Sequence, residues 1–153
     1  MLVVSDTSPV TALLQTGLAH LLPALFRQII IPPAVLAELE RAHAVLPGWL
    51  EVRTPLAIPD SLRAAHLDPG ETEAIAIAME LAADAILIDE QMGRRAAHGL
   101  HLSIMGLLGV LLLAKRTGHL ASVRPAILAL RQDAGCWFAE PLVADVLRAA
   151  GES

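Results

Sequence analysis

Apolar positions along this chain follow two rhythms. Short unbroken runs, Leu2-Val3-Val4, Ile29-Ile30-Ile31 and Ala85-Ile86-Leu87-Ile88, predict strands buried on both faces, the pattern of a parallel sheet. Trp49-Leu50-Glu51-Val52-Arg53 alternates and predicts another strand, and Leu102-Ser103-Ile104-Met105 predicts the last. Helical spacing fills the intervals. Ser8 can cap a helix from Pro9 to about Gln15, with Gly17 as its stop. Leu18 to Phe26 reads as a short helix or helical turn. Pro32-Pro33 closes the second strand and opens a helix over 34–40. A short helix is expected within 61–67, and Asp68-Pro69-Gly70 launches a strong one from Glu71 to about Ala82. Further helices are expected from about Glu90 to His98, from Gly106 to near Thr117, and over 123–132 and 141–150. Strands alternating with helices predict a three-layer α/β sandwich with a mainly parallel central sheet. The 153 residues are expected to form one domain, 1–153.

Composition sharpens this picture. The chain is 55% hydrophobic but only 3% aromatic, so its core must rest on Ala, Leu, Val and Ile. Such apolarity in a small protein points to a surface covered by another subunit. The most apolar run, 102–114, has 13 residues, short of the roughly 20 that a membrane span requires. The first residues lack the basic opening and small-residue cleavage site of a signal peptide. The lone Cys136 excludes an internal disulfide, fits a reducing cytoplasm and, among apolar and aromatic neighbours, reads as a packing residue.

The net charge of −5 hides a segregation. Residues 1–90 carry 12 acids against 4 Lys/Arg, whereas 91–132 hold Arg94, Arg95, Lys115, Arg116, Arg124 and Arg131 without any acid. A polyanion responds to that local imbalance more than to the sum.

The acids point to chemistry. Open α/β sheets place their sites outside the carboxyl ends of the strands, where Asp6 and Asp89 follow apolar runs. On the helix from Glu71, that residue shares the face of Ala74, Ile75 and Ala78, whereas Glu73 points toward Glu80 and water. Glu38 flanks the stripe Val35, Leu39, Ala42 more closely than Glu40. Clustered carboxylates cannot all stay ionised without a cation. Hard oxygen ligands suit Mg²⁺ or Mn²⁺, and the six histidines show no zinc-type spacing. A carboxylate site holding two such ions is an apparatus for in-line displacement at phosphorus. A Gly-x-Ser-x-Gly elbow and a phosphate-binding P-loop are both absent. Gly106-Leu-Leu-Gly109 lacks the third glycine of a dinucleotide fingerprint and reads as close helix packing.

Five segments in order complete a pattern: Val-Val-Ser-Asp-Thr-Ser-Pro at 3–9, Ile-Pro-Pro-Ala-Val-Leu-Ala-Glu-Leu at 31–39, Pro-Gly-Glu-Thr-Glu-Ala-Ile-Ala-Ile-Ala at 69–78, Ile-Leu-Ile-Asp-Glu at 86–90 with Gly-Arg-Arg-Ala at 93–96, and Gly-Leu-Leu-Gly-Val-Leu-Leu-Leu-Ala-Lys at 106–115. Together they resemble the PIN-domain family, in the branch of short prokaryotic proteins similar to VapC-type toxins. The resemblance implies a flavodoxin-like fold and a metal-dependent ribonuclease with an acidic Mg²⁺ or Mn²⁺ site. It assigns ligand roles to Asp6, Glu38 and Asp89, and the third acid to Glu71, with Glu73 and Glu90 as substitutes. It places the family's small hydroxyl at Ser8, next to Thr7, and implies a homodimer and a small antitoxin partner.

The expectation is an endoribonuclease of the cytoplasm. Asp6, Glu38, Glu71 and Asp89 ligate one or two divalent ions, Ser8 hydrogen-bonds a ligand, and Arg94, Arg95, Lys115 and Arg116 grip RNA phosphates. The alternative is a catalytically weak interaction module whose acidic crevice binds a protein. A receiver domain wants paired acids near its first strand, and a haloacid-dehalogenase-like phosphatase wants Asp-x-Asp there. Asp6-Thr7-Ser8 supplies neither.

Overall fold

Five strands lie parallel in one sheet. They are β1 (Leu2–Ser5), β2 (Gln28–Ile31), β3 (Leu50–Val52), β4 (Ala85–Leu87) and β5 (Ile104–Met105). The structure, a computed structural model, describes residues 1–89 and 91–152. Its helices among those residues are α1 (Thr7–Gln15), α2 (Leu21–Leu25), α3 (Pro33–Ala42), α4 (Asp60–Arg63), α5 (Pro69–Glu80), α6 (Gln91–Gly99), α7 (Leu107–Arg116), α8 (Val123–Asp133) and α9 (Glu140–Ala149). None of the described helices is long and apolar enough to cross a membrane.

All five expected strands form, and the sheet is parallel throughout rather than mainly so. β1 sits centrally because its apolar run can be buried on both sides. Val3 pairs in register with Ile29 on one flank and with Ala85 on the other. Side-chain alternation divides the core between the two sheet faces. Val4, Ile30, Ile86 and Ile88 pack beneath α4, α5 and α6, through Leu62, Ile75 and Ala97. Val3, Ile29, Ile31 and Leu87 face the other way, onto α1, α2, α3, α7, α8 and α9. The result is an α/β/α sandwich. Each Ile fully withdrawn from water contributes about 1.5–3 kcal/mol, so aliphatic residues suffice where aromatics are scarce.

The chain builds outward from β1 through β2 to β3, then returns to the opposite side of β1 for β4 and β5. The strand order therefore reverses between β1 and β4, and the crevice beyond their carboxyl ends is the ligand position of an open α/β sheet. Helix α1 starts earlier than expected. Asp6, extended at φ −76° and ψ 175°, is the N-cap, without a side-chain capping bond, and Ser8 lies inside the first turn. The cause is the backbone of Asp6, whose N–H continues the ladder by donating to the Leu87 carbonyl at 3.0 Å.

Candidate active site

Asp6 leaves β1 almost completely buried, 3% exposed. Its carboxylate and that of Glu38 of α3 both border the first turn of α5. Were Gly70 an alanine, its Cβ would lie 3.0 Å from Glu38 Oε1, 3.3 Å from Asp6 Oδ1 and 3.3 Å from Val35 Cγ2. Glycine at 70 therefore leaves room beside both carboxylates. Glu71 is next in the chain and 6% exposed. Asp68 fixes its backbone by capping α5, accepting the Glu71 N–H at 2.8 Å, and Glu71 Oε2 packs against Gly93 at the start of α6. The helical phase of Glu71 agrees with its burial beside Ala74, Ile75 and Ala78.

Asp89, half-buried beyond β4, stands in a separate setting. Its Oδ1 would lie 3.1 Å from a Cβ on Gly106, the residue that caps α7. Arg94 Nη2 stands 3.9 Å from the same oxygen, while Arg94 Nε donates to the Ile88 carbonyl at 2.8 Å. Among the described residues, no three His, Cys, Asp or Glu side chains stand close enough together to hold one ion. The alternation of the strands accounts for this. Continuing from Val4, Asp6 falls on the α5 side, and continuing from Leu87, Asp89 falls on the side of α1 and α7.

The donor chemistry nevertheless fits a hard divalent cation at the Asp6–Glu38 pair. Mg²⁺ is commonly bound through one or two carboxylates, with water and substrate phosphate completing its shell. Two anionic oxygens beside space that a methyl group would fill meet that requirement.

An open cleft of about 1360 Å³ runs along this edge. Ser8 and Thr11 of α1, Glu38 and Arg41 of α3, Asp89, Arg94, and Gly106 to Gly109 line it, and the segment 134–139 with Leu142 forms its far wall. Ser8 is exposed on the cleft, while Thr7 Oγ1 is buried without a hydrogen-bond partner among the described residues.

Several expected residues lie elsewhere. Glu73 does not point to water: its Oε2 accepts the Ala34 N–H at 3.1 Å, serving the first turn of α3. Helix packing of α3 on α5 brings these termini together, which phase within one helix cannot show. Lys115 and Arg116 sit at the far end of α7, nine residues beyond Gly106 and so roughly 13 Å from it at 1.5 Å per residue. Lys115 Nζ is bound there to Glu152 Oε2 at 2.9 Å, so the structure does not bring this pair to the crevice. Arg95 is exposed on α6, and Glu90 lies outside the described residues. Cys136 packs against the core as expected, and burial first, then the charge of Asp89, pushes its thiol pKa up.

Two cleft residues escaped the sequence reading. Arg41 follows Glu38 by three positions and so shares its helix face, a signal that was available. Trp137, 84% exposed, had only the preceding Gly135 to mark it.

A PIN-domain family model matches residues 2–152. The chain belongs to the PIN-domain family. No curated protein and no solved structure matches it. Membership agrees with the all-parallel sandwich and identifies this PIN domain as a nuclease-type fold, with its acids at the switch point between β1 and β4.

Proposed function

We propose that this PIN domain is a divalent-metal-dependent endoribonuclease hydrolysing RNA phosphodiester bonds, and that it serves as the toxin of a VapC-like toxin–antitoxin pair. The observation that carries the reading is the pair of carboxylate oxygens, Asp6 Oδ1 and Glu38 Oε1, both close beside Gly70 in a PIN-domain chain. In this reading Asp6 and Glu38 would hold the ion, Mg²⁺ or Mn²⁺, Glu71 follows Gly70 on the first turn of α5, and Asp89 faces the cleft that Glu38 also lines. When bound, the cation supplies Lewis acidity and a template for in-line displacement at phosphorus. The carboxylates orient it, and buried Asp6 acts where water screens little. Arg94 neutralises Asp89, so that a phosphate can approach this acidic edge, and Arg94 and Arg95 are positioned along α6 to attract the polyanion. Ser8 lends a hydroxyl to the cleft wall. An antitoxin would act by occupying the same cleft.

Cleavage of a mixed RNA panel by wild type and Asp6→Asn, with Mn²⁺, Mg²⁺ or EDTA, tests the assignment. The amide is nearly isosteric but uncharged, so cutting should require the metal and vanish in the variant while the circular dichroism stays unchanged. Retained cutting by well-purified Asp6→Asn protein defeats the assignment. One observation favours a second reading, an interaction module that has lost turnover: three of the acids do not converge on one point among the described residues. Binding of Mn²⁺ without any RNA cleavage would support it.

A further inference from the structure

The chain has 2 Trp, 2 Phe and no Tyr. Phe26 is buried, and Trp49 and Phe138 are half-buried against the core. Trp137 alone among these aromatics is set in water, 84% exposed, and it stands on the cleft that holds Glu38 and Asp89. The segment carrying it is pinned on both sides. Gly135 adopts φ +66° after α8, and the Cys136 N–H then donates to the Leu130 carbonyl at 3.0 Å. Beyond Trp137, the Phe138 carbonyl accepts from Arg131 Nη2 at 3.2 Å, and the Arg131 guanidinium lies 6.0 Å from the Phe138 ring centre. Cys136 and Phe138 pack inward, so the residue between them is presented outward on a fixed backbone.

Across the cleft, Arg41 is exposed, and among the described residues no ion pair or hydrogen bond engages its guanidinium. Resting on the ribonuclease reading, we infer that Trp137 and Arg41 form the holding site for single-stranded RNA: the indole stacks a base and Arg41 binds a phosphate beside the carboxylates. A stacking face joined to a cationic groove is how proteins hold single strands without reading sequence. The volume of about 1360 Å³ exceeds the roughly 300–1,000 Å³ of small-ligand pockets and suits a chain passing through. Charged Glu38, Arg41, Asp89 and Arg94 on the walls are unlike the core of a protein–protein interface, which is depleted in charge. Duplex RNA cannot use the site, because its bases are already stacked on one another.

The test is binding of a fluorescein-labelled, 2′-O-methylated single-stranded oligonucleotide in EDTA, so that no cleavage intervenes, with a hairpin duplex as control. Trp137→Ala should weaken single-strand binding by about tenfold to a hundredfold, and Trp137→Phe should retain most of it. Arg41→Gln should weaken binding and reduce its salt dependence by about one phosphate contact. Hairpin binding should not change. With Mn²⁺ and cleavable RNA, Trp137→Ala should raise KM and leave kcat close to wild type. Single-strand binding by Trp137→Ala within twofold of wild type overturns the inference, as does a wild type that does not bind the oligonucleotide. A change of oligomeric state on light scattering caused by Trp137→Ala also overturns it, assigning the indole to a protein contact. The two readings fail separately. Trp137-dependent binding without any RNA cutting sinks the ribonuclease reading alone, and cutting with Trp137-independent binding sinks the holding site alone.

Discussion

Replacing Gly70 by alanine separates the site from the fold with one methyl group. The added Cβ would meet Glu38 Oε1 at 3.0 Å and Asp6 Oδ1 at 3.3 Å, whereas ordinary contact begins near 3.4 Å, so both carboxylates must retreat by a few tenths of an ångström. The methyl would also take up the space beside both of them. The stability effect is small and has two opposing parts. Alanine in a helix is favoured over glycine by up to about 1 kcal/mol, and crowding of Val35 Cγ2 at 3.3 Å removes part of that gain. At about 2–4 °C per kcal/mol for a chain of this length, the melting temperature should stay within about 3 °C of wild type. Function should respond more, because if a misplacement of about 1 Å costs on the order of 10²-fold, a shift of a few tenths of an ångström at both proposed ligands costs roughly threefold to tenfold. Calorimetric Mn²⁺ titration, Mn²⁺-dependent RNA cleavage and thermal unfolding on the same preparation provide the readouts. Binding and cleavage at wild-type level in Gly70→Ala would show that the space beside Asp6 and Glu38 is not where the ion sits. A loss of many degrees in melting temperature would show the packing argument to be wrong.

Glu71→Gln should lower cleavage on the order of 10²-fold, the usual loss for one electrostatic contact in an active site. Glu73→Gln should leave cleavage within about threefold, because its oxygen serves the Ala34 N–H, and Glu73→Ala should cost about 1 kcal/mol in urea unfolding as a lost cap. At the far end of α7, the Glu152 carboxylate accepts from Ser122 Oγ at 2.6 Å, the Val123 N–H at 2.7 Å and Lys115 Nζ at 2.9 Å. These bonds, Ser122 foremost, hold its pKa down to about 2. Because the folded value lies below the ordinary 4.5, the stabilisation is complete above that value and disappears as pH falls toward the folded one. The stability gap between wild type and Glu152→Gln should therefore be flat above about pH 5 and close between about pH 4.5 and 2 in pH-dependent unfolding.

The sequence by itself determined the architecture, because strand burial is written locally. A run such as Ile29-Ile30-Ile31, with apolar side chains at every position, can only be satisfied between two helical layers. It also determined which end of the sheet carries acids, since Asp6 and Asp89 follow their strands directly, and it oriented Glu71 through the 3.6-residue period within one helix. What lies between elements was not legible there. The approach of Glu38 to Asp6 depends on α3 packing beside α5 and on a glycine at that crossing. Glu73 looked solvent-directed because its partner, the Ala34 N–H, belongs to another helix 39 positions away. Lys115 looked like a phosphate ligand because charge counted along the chain ignores helix length, and α7 carries it to the opposite end of the molecule, onto Glu152. Trp137 joined the cleft through the fold of a segment almost fifty residues beyond Asp89. Periodicity reports the side on which a residue lies within its own element. The neighbour it meets is set by how elements pack, a long-range property that only the tertiary structure decides.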